Sequence, residues 1–359
     1  MIVSIDHSIF ESATTDERKM QLSFLLYLLV NKTCYTLSLQ DDVTDTAFYK
    51  EQPGSIKDVI DDAFMTTIMS STNADCFVGV GYESEEIQRK FSLQEAMTFL
   101  MEPSSIVLEN ALNDAYFIDA LFRCYDDTGK MRSYVKEGWL QYDNAGGCGN
   151  IQNFLQARVN HYQGKTKFLK CYVIVDGDKL YPKQEQNKYN NLEKKLEEWG
   201  VGIHILEKRT MENYMPMLVL RNQTKSNQRE WVSSYEELSP VQRDYLSIGG
   251  GFSYDAPKAK KESLDRELKR FRKRKSQMND KHFVSKYMSS GRKELYSNVS
   301  NGNFCHLALG FPVNGVFKDT YPKLYQSPLA TRAGFDAITS HQTEVNELRT
   351  LVESLIKII

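Results

Sequence analysis

The stretch Val173-Ile174-Val175-Asp176-Gly177-Asp178 closes a run of β-branched residues with two carboxylates one glycine apart. Fed by residues 168–172, it reads as a buried parallel strand whose C-terminal tip presents Asp176 and Asp178. Ligands of open α/β sheets gather beyond the carboxyl ends of the strands. Two hard oxygen donors at such a tip suit Mg²⁺, which prefers carboxylates and water. Glu109 gives the pair its meaning, because it closes a second short apolar strand, Ser105-Ile106-Val107-Leu108.

Further chemistry-bearing residues follow in order. Asn110 comes after Glu109, and Asp114 starts a helix. Gly146-Gly147-Cys148-Gly149 lies between a strand and a helix. Glu207-Lys208-Arg209-Thr210-Met211-Glu212-Asn213-Tyr214 comes directly after the last strand. Glu109, Asp176, Asp178 and Glu212 in one cluster repel one another unless a cation joins them. One or two divalent ions held by such carboxylates can offset charge on a phosphodiester and activate water. Lys179, Lys208 and Arg209 are expected nearby as phosphate contacts, Arg209 through a bidentate fork. The helix after Gly146-Gly147 is expected to offer free backbone N–H groups to an anion.

The Asp-x-Asp pair also matches the metal motif of nucleotide-sugar glycosyltransferases, a reading that leaves Glu109 and residues 207–214 without a task. A haloacid-dehalogenase-like phosphatase needs its pair on the first strand, whereas this one follows the third. No Gly-x-x-x-x-Gly-Lys-Ser/Thr occurs, so any ATP hydrolysis must come from another chain.

Positioning these residues requires alternating strands and helices from residue 104 to about 220, the pattern of a parallel sheet with crossover helices. Strands are expected at 105–109, 139–142, 168–175 and 202–206. Helices are expected at 114–125, 151–162, 187–199 and 212–220, with Gly200 as a left-handed C-cap. Residues 1–103 read as a mixed α/β region of unassigned role: strands at 2–5 and 76–80, and helices at 16–30, 56–69 and 93–101. Residues 221–359 read as mostly helical. Ser239 is an N-cap with Pro240 at the first helical position, Gly249-Gly250-Gly251 is a flexible joint, and 259–278 is a charged helix. That helix carries Arg270, Arg272, Lys273, Arg274 and Lys275. The spacing of Val345, Leu348, Leu351, Val352, Leu355 and Ile358 predicts a last helix. No internal repeat stands out.

A strand ending in Glu, a Gly-Gly turn after the second strand, a strand ending in Asp-x-Asp and a following Lys-Arg-x-x-Glu-Asn-Tyr resemble the Toprim domain. The likeness covers residues 104–220. In particular it resembles Toprim nucleases of the overcoming-lysogenization-defect type and related small effectors of anti-phage systems. The resemblance implies a four-stranded parallel core with acids at the strand tips and a Mg²⁺- or Mn²⁺-dependent nuclease acting on DNA or RNA. Glu109 would serve as metal ligand or general base, Asp176 and Asp178 would hold metal, and Asp114 and Glu212 would complete a second position. Lys208 joins the catalytic set. Lys179, Arg209, Arg270, Lys273 and Arg274 form the expected nucleic-acid contacts, and a separate ATPase is the expected protein partner. Asn110 stands where the family commonly has Gly, although Asn also tolerates positive φ. That departure keeps open a second reading, a degraded Toprim fold that binds an ATPase or nucleic acid.

Composition sets the outer limits. With 45 Lys and Arg against 47 Asp and Glu over 359 residues, no global polyelectrolyte attraction applies, and any nucleic-acid affinity must come from a local patch. The 20 Tyr and 18 Phe argue for a folded chain. Cys34, Cys76, Cys124, Cys148, Cys171 and Cys305 show no C-x-x-C pair, as expected of reduced thiols in a cytoplasmic protein. Residues 1–10 lack the pattern of a signal peptide. The apolar run 24–30 is too short to span a bilayer and is expected to be the buried face of a helix.

Overall fold

The computed structural model describes residues 1–358 except 70–72, 83–88, 162–167, 224, 275–281 and 343–345. Two parallel four-stranded sheets organise the chain, which is α/β in class. The first holds β1 (Ile2–Ile5), β2 (Thr36–Leu39), β3 (Cys76–Val78) and β4 (Lys90–Phe91), in the order β2-β1-β3-β4. The second holds β5 (Ser104–Leu108), β6 (Leu140–Asn144), β7 (Cys171–Val175) and β8 (Gly202–Ile205), in the order β6-β5-β7-β8. The two sheets share one winding: the first strand is central, the second lies to one side, and the third and fourth lie to the other. The sequence gives no sign of this repetition, because the tips differ. Asp6 and Gly79-Val80-Gly81 stand in the first sheet where Glu109 and Asp176-Gly177-Asp178 stand in the second.

β5 is buried at every position, because helices cover both faces of the second sheet. Its alternate residues point to different cores. Ile106 and Leu108 join a large apolar cluster, and Val107 joins a smaller one with Leu155, Val173, Val175 and Leu196. The large cluster runs without a break from Val3 to Ile358, so the first sheet, the inner face of the second and the C-terminal helices share one core. Lys170 lies at the junction of the sheets. Its Nζ donates to the Tyr35 hydroxyl at 2.5 Å and to the Glu102 carbonyl, and burial pushes the amine down to about 7.

Residues 221–358 add helices and no strands among the described residues. Ser239 caps the helix Pro240–Tyr245, with Gln242 returning the bond to the Ser239 N–H. Gly249-Gly250-Gly251 is not the flexible joint its composition suggests. A Cβ on Gly249 would meet the Phe317 ring at 2.7 Å, and one on Gly250 would meet Tyr254 at 2.3 Å. Gly251, at φ +59, would meet the Leu307 carbonyl at 2.0 Å. Three glycines stand here because the chain passes against other backbone and rings. The charged helix runs Lys258–Arg274, and the last helix runs Glu347–Ile356. Residues 275–278 of the expected charged helix, and Val345 of the apolar spacing, lie outside the described residues.

The helix Asp16–Asn31 buries Leu22, Leu25, Leu26 and Leu29. The run 24–30 is therefore only half a buried face, since Phe24, Tyr27 and Val30 are exposed. No helix among the described residues is long and apolar enough to cross a membrane.

Candidate functional site

Glu109 follows β5, and its carboxylate is held in place by the chain after β6. The Glu109 carbonyl accepts from the Gly147 N–H at 3.0 Å, and Glu109 Oε2 accepts from the Cys148 N–H at 3.3 Å. Gly146 and Gly147 make the required turn at φ +74 and +114. The expected free amide at this position is thus occupied by the protein's own acid. Glu109 Oε1 is buried and makes no hydrogen bond. Burial raises the Glu109 carboxyl above its usual range, against the pull of Lys188.

Asp176 and Asp178 follow β7 in a turn that only glycine can complete. A Cβ on Gly177 would lie 2.2 Å from the Lys208 carbonyl and 2.3 Å from that of Leu206, both of them backbone. The Asp178 N–H donates to the Arg209 carbonyl at 2.7 Å, and Asp178 itself sits at φ +53. Backbone strain of this kind concentrates at functional sites. Asp176 Oδ1 accepts from the Met211 N–H at 2.9 Å. Desolvation and the charges of Glu212, Glu109 and Asp114 push the Asp176 carboxyl well up.

Asp114, in the first turn of the helix Ala111–Tyr125, accepts from the Asn110 N–H at 2.9 Å. Desolvation, reinforced by Glu212 and Glu109, raises it to about 7. Glu212 enters from the short helix Met211–Tyr214 after β8. Glu109, Asp114, Asp176, Asp178 and Glu212 all line one open cavity of about 460 Å³. The opposite wall comes from the C-terminal region: Ser247 to Gly250, Tyr254, Phe317 and Lys318.

The cations expected on phosphate are placed differently. Lys208 is 2% exposed and turns away from this cavity; its Nζ pairs with Asp244 at 2.7 Å and donates to the Ile338 carbonyl at 2.8 Å. Asp244 also meets His341 at 2.5 Å. The physical reason for this correction is burial: an ammonium taken from water there is held by a carboxylate and a carbonyl, not by solvent or ligand. Arg209 does line the cavity, but its fork is spent on Asp255 at 2.7 and 2.8 Å, which also pairs with the fully buried Arg292 at 2.6 Å. Lys179 is partly buried and is not among the lining residues. Arg270 is exposed on its helix, and the side chains of Lys273 and Arg274 lie outside the described residues.

The rest of the 207–214 segment is a structural hub. Asn213 caps at Thr210 and donates to the Arg243 and Leu246 carbonyls at 2.7 and 2.9 Å. The Tyr214 hydroxyl donates to Glu347, which also takes the Glu207 N–H at 2.8 Å and meets His204 at 2.9 Å. His204 is thereby held in this hub by Glu347 and not turned to the acid cluster.

Sequence reasoning missed Lys188, whose ammonium pairs with Asp178. The expected helix at 187–199 begins only at Asn190, so Lys188 lies in the turn before it, and nothing in its spacing tied it to the acids. Reasoning from sequence also missed Tyr189, which donates to the Asp176 carbonyl at 3.0 Å, and Lys318 on the cavity wall.

The donor set is chemically right for a hard divalent cation: several carboxylates, three of them raised by burial and mutual repulsion, and one buried oxygen without a hydrogen bond. In the conformation described, no three His, Cys, Asp or Glu side chains among the described residues are arranged to hold an ion. Three of the acids, Glu109, Asp114 and Asp176, are engaged by backbone N–H groups and a fourth, Asp178, by Lys188. Ligation therefore requires side-chain rotation around a shared cavity. Comparisons with family models, curated proteins and solved structures find no match to the chain.

Proposed function

We propose that the chain is a divalent-metal-dependent phosphodiesterase of Toprim type, cutting DNA or RNA under the control of a separate ATPase as an anti-phage effector. The observation that carries this reading is the convergence of five acids from three separate stretches of chain on one cavity at the carboxyl edge of a parallel sheet. Asp176 and Asp178 would hold Mg²⁺ or Mn²⁺, with Glu109 as a further ligand or as the general base and Asp114 and Glu212 in support. When bound, such an ion would offset the charge that builds on the phosphate and ease ionisation of water.

The chain's own residues provide the remainder. As general base, Glu109 would take a proton from the attacking water as its oxygen bonds to phosphorus; the phosphorus–oxygen bond to the leaving nucleoside breaks, and the leaving oxygen takes a proton from solvent. The backbone bonds to Asp114 and Asp176 hold those carboxylates toward the cavity. Lys318 is the exposed cation on the cavity wall suited to a phosphate. Incubation of plasmid, single-stranded DNA and tRNA with Mg²⁺ or Mn²⁺, with and without proteins encoded next door, tests the reading. Cleavage abolished by EDTA and by Glu109→Ala supports it; cleavage that persists in either case refutes it.

A second reading rests on a different observation. Lys208 and Arg209 are consumed by buried ion pairs, so the basic part of the motif serves architecture. That suits a degraded Toprim-like module whose task is to bind a partner. Failure to bind divalent metal would favour it.

A further inference from the structure

We infer that Lys188 is a built-in counter-ion that competes with the divalent cation for the acid cluster and so sets the metal concentration at which the site fills. This inference rests on the metal-binding reading above. Lys188 leaves the loop between β7 and the helix Asn190–Glu198, and its Nζ pairs with Asp178 Oδ2. The same ammonium is bonded to the Cys148 side chain, meets the Tyr189 hydroxyl at 3.1 Å, and acts electrostatically on Glu109. It thus bridges the two strand tips that supply the proposed ligands.

A single positive charge at this place answers the repulsion between Glu109 and Asp178, which is the task a metal ion would perform. The loop that carries it is anchored. The Tyr189 hydroxyl donates to the Asp176 carbonyl at 3.0 Å, and the Leu180 N–H donates to Gln184 at 2.7 Å. The side chain itself is free to leave, because Lys188 is 40% exposed and Asp178 is 43% exposed. An exposed pair of this kind contributes little to folding. Its position is better explained by a charge that can swing aside when a stronger cation arrives.

The test is calorimetric titration of Mn²⁺ or Ca²⁺ into the full chain, comparing wild type, Lys188→Met, Lys188→Arg and Asp176→Asn, with folding checked by circular dichroism. Lys188→Met is expected to tighten metal binding by roughly two- to fivefold, the scale of an exposed ion pair. Lys188→Arg, which keeps the charge, should bind as wild type does. Equal or weaker binding by Lys188→Met overturns the inference while leaving the metal site standing. Loss of nucleic-acid affinity with unchanged metal affinity also overturns it, making Lys188 a phosphate ligand. Absence of metal binding by the wild type overturns both this inference and the reading beneath it.

Discussion

Asp114 measures how much the fold gives up to assemble the acid cluster. Its carboxyl is raised from 3.8 to about 7, chiefly by desolvation. An acid raised in the folded state binds more protons there than when unfolded, so stability falls as pH rises between those two values. The penalty is complete above pH 7 and absent below about 4, and it amounts to about 4 kcal/mol as an upper bound. Asp114→Asn keeps the acceptor for the Asn110 N–H and removes the charge. It should raise the melting temperature at pH 8 by several degrees, on the order of 5 °C, and by little at pH 4. Thermal melts across that range would check this; an equal gain at both ends would mean that charge is not the cause. The acids were legible in the sequence because strand tips and carboxylates are both local features. Lys208 and Arg209 were misread because their buried partners, Asp244 and Asp255, lie far along the chain and no periodicity links them.

At the scale of elements, the turn after β7 and the segment after β8 are one device. Gly177 packs against the Lys208 and Leu206 carbonyls, and the Asp178 N–H binds the Arg209 carbonyl. Gly177→Ala must push backbone apart. It should destabilise the chain by roughly 1–3 kcal/mol and weaken metal binding along with stability. Chemical denaturation paired with metal titration would read both, and a variant of wild-type stability would show that the turn yields freely. The four strands of residues 104–220 and the main helices between them were readable because each is a short run of its own period, but the helix Lys130–Lys136 was not, and the expected helix 212–220 is broken before Met217. The glycine triplet was not, since composition cannot distinguish a hinge from a close approach to Phe317 and the Leu307 carbonyl. The shared strand order of the two sheets was equally hidden, because topology repeats without any likeness in sequence.

Over the whole molecule, the C-terminal helices complete the cavity and hold the last strand's exit in place. Lys208 with Asp244, Arg209 with Asp255, and Tyr214 with Glu347 all cross from the second sheet's edge to that region. Lys208→Met leaves the buried Asp244 with His341 alone and should cost roughly 3 kcal/mol of stability. Its metal affinity should stay at the wild-type level, because Lys208 faces Asp244 and not the acids. A stable Lys208→Met protein that no longer binds metal would instead return Lys208 to the catalytic set. One apolar cluster joins the three regions read from the sequence. Side chains that bury across such a boundary leave no local trace in the chain.

The central claim is that the convergent carboxylates bind a divalent cation. Electron paramagnetic resonance of free Mn²⁺ near pH 7.5, titrated with wild-type protein and with Asp176→Asn, tests it most directly. The account predicts that wild type depletes the free-ion signal saturably and that Asp176→Asn, although folded, depletes it far less. An undiminished Mn²⁺ signal with wild type, or equal depletion by the variant, would contradict it.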